Sequence, residues 1–176
     1  MIYVVDLDDT LVSSTQLNND SYNFALEQYN HKRLPTSERI TREKLNFIDN
    51  STRKAIITLK QDYFTKSWLP YRVVLNKALI EKLIINQKSN CYLWTKADKN
   101  RANKIIDYCK LDKYFKDIIF DDKDNFGKSI LRLSNIVKSN QFIIYENNSL
   151  FFANQNCKIV DEIKNKFFNI KGYLVG

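Results

Sequence analysis

The residues most able to do chemistry stand together near the start of the chain, where the apolar run Ile2-Tyr3-Val4-Val5 gives way to Asp6-Leu7-Asp8-Asp9-Thr10. A continuous β-branched and aromatic run of this kind reads as a strand covered on both faces, as in parallel α/β sheets. Such sheets bind ligands beyond the carboxyl ends of their strands. Asp6 and Asp8 lie two apart, so in a still-extended backbone both side chains face one cavity while Leu7 faces another. A lone Asp at such a place is usually a turn or capping residue. Three acids crowded at one strand end repel one another, and the repulsion must be offset by a cation or a shared proton. The expected cation is Mg²⁺, a hard ion suited to carboxylate oxygens that leaves coordination positions for phosphate oxygens.

The rest of the chain must position these acids. Beyond Val12, Tyr22, Ala25, Leu26 and Tyr29 recur at helical spacing, and His31 to Pro35 ends that helix. A second helix is expected over about 37–49, with Ile40, Leu45 and Ile48 inward, and a third over about 51–65, with Ile56, Leu59 and Tyr63 inward. Residues 14–68 thus read as a helical insertion between the first strand and the remaining core, residues 1–13 and 69–176. Pro70 marks the return, because proline disfavours helix in its predecessor. A helix over about 72–86 follows, then a strand Cys91-Tyr92-Leu93-Trp94 that ends in Thr95. Asp98 is placed to cap a helix carrying Ala102, Ile105, Ile106 and Cys109 on one face.

Ile118-Ile119-Phe120 forms a third strand, ending in Asp121-Asp122. After it, Gly127-Lys128-Ser129 opens a helix with Ile130, Leu133 and Val137 inward. This Gly-Lys-Ser is not a P-loop, since the pattern requires glycine at position 122 and finds Asp122. A fourth strand, Gln141 to Tyr145, ends in Glu146-Asn147-Asn148. A fifth is expected at Cys157-Lys158-Ile159-Val160, with a last helix or loop over 161–169.

Composition narrows the classes. At 176 residues, 44% of them hydrophobic, the chain can bury one ordinary core. Three glycines exclude a G-x-G-x-x-G dinucleotide loop. Cys91, Cys109 and Cys157 lack C-x-x-C spacing and suggest neither a disulfide framework nor a zinc site. With no apolar stretch near the roughly 20 residues needed to cross a bilayer, a cytoplasmic protein without a membrane partner is expected. The net charge of +8 would suit a polyanion, yet the lysines are scattered as on a solvated surface.

Asp6-Leu7-Asp8-Asp9-Thr10-Leu11 resembles the first motif of the haloacid dehalogenase superfamily, whose members are mostly Mg²⁺-dependent phosphatases. The resemblance extends along the core, since Thr95, Lys128 and Glu146 follow in the order of that superfamily's second, third and fourth motifs. It implies a Rossmann-like, doubly wound parallel sheet with a small type 1 helical cap inserted after the first strand. It also implies hydrolysis of a phosphate monoester through an aspartyl-phosphate. In that scheme Asp6 is the nucleophile, Asp8 the general acid and then base, and Thr95 and Lys128 bind phosphate. Mg²⁺ would be held by Asp6, Asp8, Glu146 and Asn147. The second Asp favours phosphoryl transfer over carbon–halogen chemistry, which that branch performs without it. The fourth motif departs from the usual paired Asp, because Glu146 is a methylene longer and Asn147 is neutral. The expected substrate is a small phosphorylated metabolite. Two alternatives are phosphatase action on nucleic-acid ends and a weakly active or inactive relative that binds a partner. A receiver domain, which also uses acids, Thr and Lys, would need a further Asp-terminated strand where residues 37–66 read as helical.

Overall fold

The computed structural model describes residues 1–67, 73–85, 90–123, 125–147 and 169–174. Seven strands are assigned among them: β1 (Ile2–Val5), β2 (Val12–Ser13), β3 (Val74–Leu75), β4 (Cys91–Thr95), β5 (Asp117–Phe120), β6 (Gln141–Glu146) and β7 (Asn169–Leu174). The helices are α1 (Thr15–Gln28), α2 (Asn50–Lys66), α3 (Lys77–Ile85), α4 (Lys99–Cys109) and α5 (Phe126–Val137). Five strands form one sheet in the order β5-β4-β1-β6-β7, and every neighbouring pair is parallel. The apolar run at Ile2 to Val5 is therefore the central strand, which is why neither of its faces carries a polar residue. Val5, Leu93, Leu79, Leu83, Ala102 and Ile105 bring α3 and α4 onto one face. Val4, Trp94, Ile119, Ile130, Leu133 and Phe142 bring α5 onto the other.

The winding fixes where a ligand can sit. From β1 the chain builds outward through β4 to β5, then returns to place β6 on the opposite side of β1. The order reverses at β1, and in open parallel sheets the crevice at such a reversal lies at the strand carboxyl ends. Asp6 occupies that position, directly after Val5.

The insertion is held by a core of its own, with Tyr22, Ala25, Leu26, Ile40, Leu45, Ile48 and Ile56 packed together. Phe24 and Tyr63 stack at 4.1 Å between ring centroids, tying α1 to α2. The expected helix over 37–49 is not formed; a single 3₁₀ turn, Arg42–Leu45, stands in its place. The reason lies in α1, whose asparagines satisfy the backbone that a helix would have paired internally. Asn19 Oδ1 accepts from Ile40 N at 2.7 Å, and its amide donates to Glu38 O at 2.8 Å. Asn18 donates to Ile40 O at 2.9 Å, while Asn23 both accepts from Leu34 N and donates to Leu34 O. The third expected helix is present as α2, capped by Asp49, which accepts from Ser51 N and Thr52 N.

The helix expected over 72–86 is shorter, because Val74–Leu75 is strand and α3 begins only at Lys77. β3 pairs antiparallel with β2, Val12 opposite Leu75 and Ser13 opposite Val74. The two crossings between core and insertion are thereby clipped to each other. β7 is also a strand beyond the sequence-based reading. Pro70 and the expected strand at 157–160 lie outside the described residues. Among the described residues no helix is long and apolar enough to cross a membrane.

Asn19 is 1% exposed. Asn19→Ala strands the buried Ile40 N–H and a carbonyl without partners, at a cost on the order of 1–3 kcal/mol. Urea unfolding with an unchanged m-value and a lower midpoint is the expected measurement.

Candidate active site

After Val5 the chain bends sharply, and the bend aims the acids. Asp6 N donates to Tyr145 O at 2.9 Å, extending the β1–β6 ladder by one residue and fixing the Asp6 side chain at the crevice floor. Leu11 N and Val12 N both return to Leu7 O, and Asp9 adopts a left-handed conformation at φ 58°. Asp is among the residues that tolerate that region. Asp9 then braces the start of α1, accepting from Ser14 N at 2.9 Å, Thr15 N at 3.0 Å and Thr15 Oγ1 at 2.7 Å. Asn76 locks the far side of the bend, donating to Leu11 O from its backbone and to Thr10 O from its side chain, and accepting from Leu79 N at the start of α3.

Asp6, 8% exposed, and Glu146, 4% exposed, share one cation. Lys123 Nζ lies 2.6 Å from Asp6 Oδ1 and 2.9 Å from Glu146 Oε2, and 4.8 Å from the Trp94 ring centroid. Burial opposes the charge on Lys123, but the two carboxylates more than offset it and raise the ammonium's pKa. One cation against two carboxylates leaves an excess of negative charge. Burial, aided by Glu146 and Asp8, pushes the Asp6 carboxyl up to about 7 against the opposing pull of Lys123.

Asp8 has the opposite character. Burial would raise it, yet Arg101, Arg39, a bond from Ser14 and the field of Lys60 together hold it below the usual carboxylate range. Arg101 Nη2 lies 2.5 Å from Asp8 Oδ2, and Arg39 Nη2 lies 3.7 Å from Asp8 Oδ1. Lys60, on α2, is 3% exposed, and burial first, then Arg101 and Arg39, drives its pKa down to about 6.

The sequence-predicted residues are not all gathered. Asp6, Asp8 and Glu146 converge, and buried Thr95 ends β4 beside them in the sheet, its Oγ1 accepting from Ala97 N at 3.1 Å. Lys128 is not brought to them: it is exposed in the first turn of α5, where its backbone N–H donates to Asn125 Oδ1. The cation that reaches Asp6 is Lys123, whose left-handed backbone at φ 53° belongs to the bend between β5 and α5. Asn147 is exposed and meets the site through its backbone, donating to Glu146 Oε1 at 3.1 Å. Arg39, Lys60, Asn76 and Arg101 were not singled out by sequence. Only Arg101, three residues after the capping Asp98 and one turn into a helix that follows Thr95, had a position that could have betrayed it.

Among the described residues no three acidic, histidine or cysteine side chains group as a metal cluster. The fit to Mg²⁺ rests instead on the two buried carboxylates of Asp6 and Glu146, whose negative charge Lys123 does not balance. Mg²⁺ is typically held by one or two carboxylates, keeping its other positions for water and phosphate. The donor set fits that requirement.

No protein-family model matches the chain, and no curated protein matches it. Solved structures do. A haloacid dehalogenase-like hydrolase from Streptococcus pneumoniae superposes with a TM-score of 0.71 at 13% identity, covering 98% of this chain and 93% of that one. A hydrolase from Pseudomonas syringae gives 0.67 at 16% identity, covering 98% and 93%. A predicted phosphoglycolate phosphatase from Haemophilus somnus 129pt gives 0.68 at 16% identity, covering 88% and 80%. The chain has the fold of the haloacid dehalogenase-like hydrolases, a parallel five-stranded sheet with helices on both sides.

Lys123→Met leaves two buried carboxylates without their cation, and in metal-free buffer it should destabilise by about 3–5 kcal/mol. Lys128→Met should stay within about 0.5 kcal/mol of the parent. Equal midpoints for the two variants in chemical denaturation would reverse the assignment. Lys60 makes a separate pH prediction. Its folded pKa is depressed, so between about 6 and its ordinary value of 10.5 the unfolded chain binds the proton that the folded chain has released. Stability should therefore gain from Lys60 as pH rises through that window. The melting temperature of the parent, relative to Lys60→Met, should climb between pH 6 and 9.

Proposed function

We propose that the protein is a Mg²⁺-dependent phosphatase of the haloacid dehalogenase superfamily that hydrolyses a small phosphorylated metabolite. The observation that carries this reading is the pair Asp6 and Asp8 at the sheet's reversal point, two residues apart and set in opposite electrostatic surroundings. At rest their proton affinities are the reverse of those the reaction uses, and bound phosphate and Mg²⁺ would invert them. The shared fold supports the class of reaction.

In this scheme an Asp6 oxygen attacks phosphorus, the bond to the leaving oxygen breaks, and Asp8 gives that oxygen its proton. Water then attacks the aspartyl-phosphate while Asp8 takes a proton from it, restoring the Asp6 carboxylate and releasing phosphate. Lys123 orients Asp6 and balances part of the developing charge, the role expected of Lys128 from sequence. The Thr95 hydroxyl, at the end of β4, is the donor to a phosphoryl oxygen. Without substrate, Arg101 and Arg39 keep Asp8 ionised. An arriving anionic ester engages those cations and weakens their hold, so the proton affinity of Asp8 rises as the ester binds. Mg²⁺ would be held by Asp6, Glu146 and the Asp8 carbonyl, and when bound it supplies positive charge that favours ionised Asp6 and the phosphoryl oxygens. The helical insertion, closing over the crevice as a cap, is the part that selects the substrate.

Turnover of a generic aryl phosphate in Mg²⁺ is expected, and Asp6→Asn should abolish it. A folded Asp6→Asn protein with undiminished turnover would sink the nucleophile assignment. Asp8→Asn should cost on the order of 10²- to 10⁴-fold, hardest on esters with poor leaving groups. Glu146→Ala should raise the Mg²⁺ concentration for half-activity more than it lowers the rate at saturating metal. An unchanged metal titration would remove Glu146 from the ligand set.

A further inference from the structure

Lys60 is a buried amine whose charged form is poorly compensated among the described residues. Its residue is 3% exposed, and among the described residues no carboxylate lies within ion-pair distance of its ammonium. What it faces are two rings, Tyr22 at 4.8 Å and Phe64 at 5.2 Å from Nζ to centroid. Cation–π contacts return only a small part of what it costs to take an ammonium out of water. The rings alone do not balance the burial.

A second donor stands beside it. Arg101 is 5% exposed, and its guanidinium carbon lies 4.9 Å from the centroid of the same Phe64 ring. Arg101 spends Nη2 on Asp8, but its buried Nε–H has no hydrogen-bond partner. Arg101 disfavours the charged form of Lys60, and a buried donor left without a partner is itself destabilising. Asp8 favours the charged form of Lys60 only from beyond ion-pair distance, and its two oxygens accept from Ser14 Oγ and Arg101.

Position decides what the missing group is part of. Arg101 joins this cluster to Asp8, so on the phosphatase reading, in which Asp8 protonates the leaving oxygen, a leaving group that reaches past Asp8 would meet Arg101 and Lys60. We propose that the leaving group carries a second oxyanion, a carboxylate or a phosphate, received by Lys60 Nζ of the insertion and Arg101 Nε of the core. This substrate class rests on the phosphatase reading of Asp6 and Asp8. It makes Lys60 and Arg101 specificity residues, and it makes the substrate the bridge between insertion and core.

The test compares a short alkyl phosphate ending in carboxylate with its neutral amide of equal length, in Mg²⁺. A third ester ending in phosphate tells carboxylate from phosphate as the preferred group. The parent protein should favour the better acid-bearing ester over the amide by about tenfold or more in kcat/KM. Lys60→Met should erase most of that preference through KM, and Lys60→Arg should retain it. A preference near one in the parent, or one that survives Lys60→Met, overturns the inference and leaves the phosphatase reading standing. If no ester is turned over, the phosphatase reading fails instead. Calorimetric binding of the acid-bearing ester and the amide to the parent protein then decides the inference alone, with equal affinities overturning it. The same calorimetry decides it should Lys60→Met fail to fold.

Discussion

Everything in this structure depends on the repulsion among acids gathered at the carboxyl ends of two adjacent strands, β1 and β6. Asp6, Asp8 and Glu146 are brought together by the reversal of strand order at β1, and none of them is solvated enough to keep its charge for nothing. The protein answers with cations drawn from separate elements. Lys123 arrives from the bend after β5, Arg101 from α4, and Arg39 and Lys60 from the insertion. Remove the acids and the cations become the liability, as the depressed proton affinity of buried Lys60 already shows.

The cations are distributed unevenly, and the asymmetry separates two carboxyls that sequence presents as near equivalents. Asp6 meets one ammonium shared with Glu146, so burial prevails and its proton is retained to about pH 7. Asp8 meets two guanidiniums, so ionisation prevails. An ester phosphate and a divalent cation would act on these two groups in opposite directions, lowering the proton affinity of Asp6 and raising that of Asp8. The resting electrostatics thus describe a site awaiting its ligands.

The core was legible in the sequence because its signals are local. The buried run at β1, the strand ending in Thr95, the amphipathic α5 and the strand ending in Glu146 each declare themselves within a few residues. What stayed hidden depends on contacts between distant positions. Nothing in residues 37–49 announces that the asparagines of α1 will take over its backbone partners. Two-residue strands such as β2 and β3 carry too little pattern to read. Lys128 had the motif-like Gly-Lys-Ser setting, while Lys123 sits in a stretch of acids with no periodicity to mark it; a left-handed backbone turns it inward, and such a conformation is not visible in a lysine's neighbours. Arg39 and Lys60 belong to helices and loops whose charged residues look like any solvated face.

The clip formed by β2 and β3 also bears on how the sheet assembles. The central strand finds its partners far along the chain, with Tyr3 opposite both Cys91 and Ile143. Pairings over such separations are slow, because loop-closure entropy must be met before any contact repays it. Once Val12 and Ser13 have joined Leu75 and Val74, the whole insertion is bypassed, and the path from Val5 to Cys91 shrinks to a short connection plus α3. Since each halving of a loop recovers about 0.6 kcal/mol of closure entropy, the gain is on the order of 1 kcal/mol. An insertion that closes on itself early makes the distant strand a near neighbour, so its length places little burden on the folding of the sheet it interrupts.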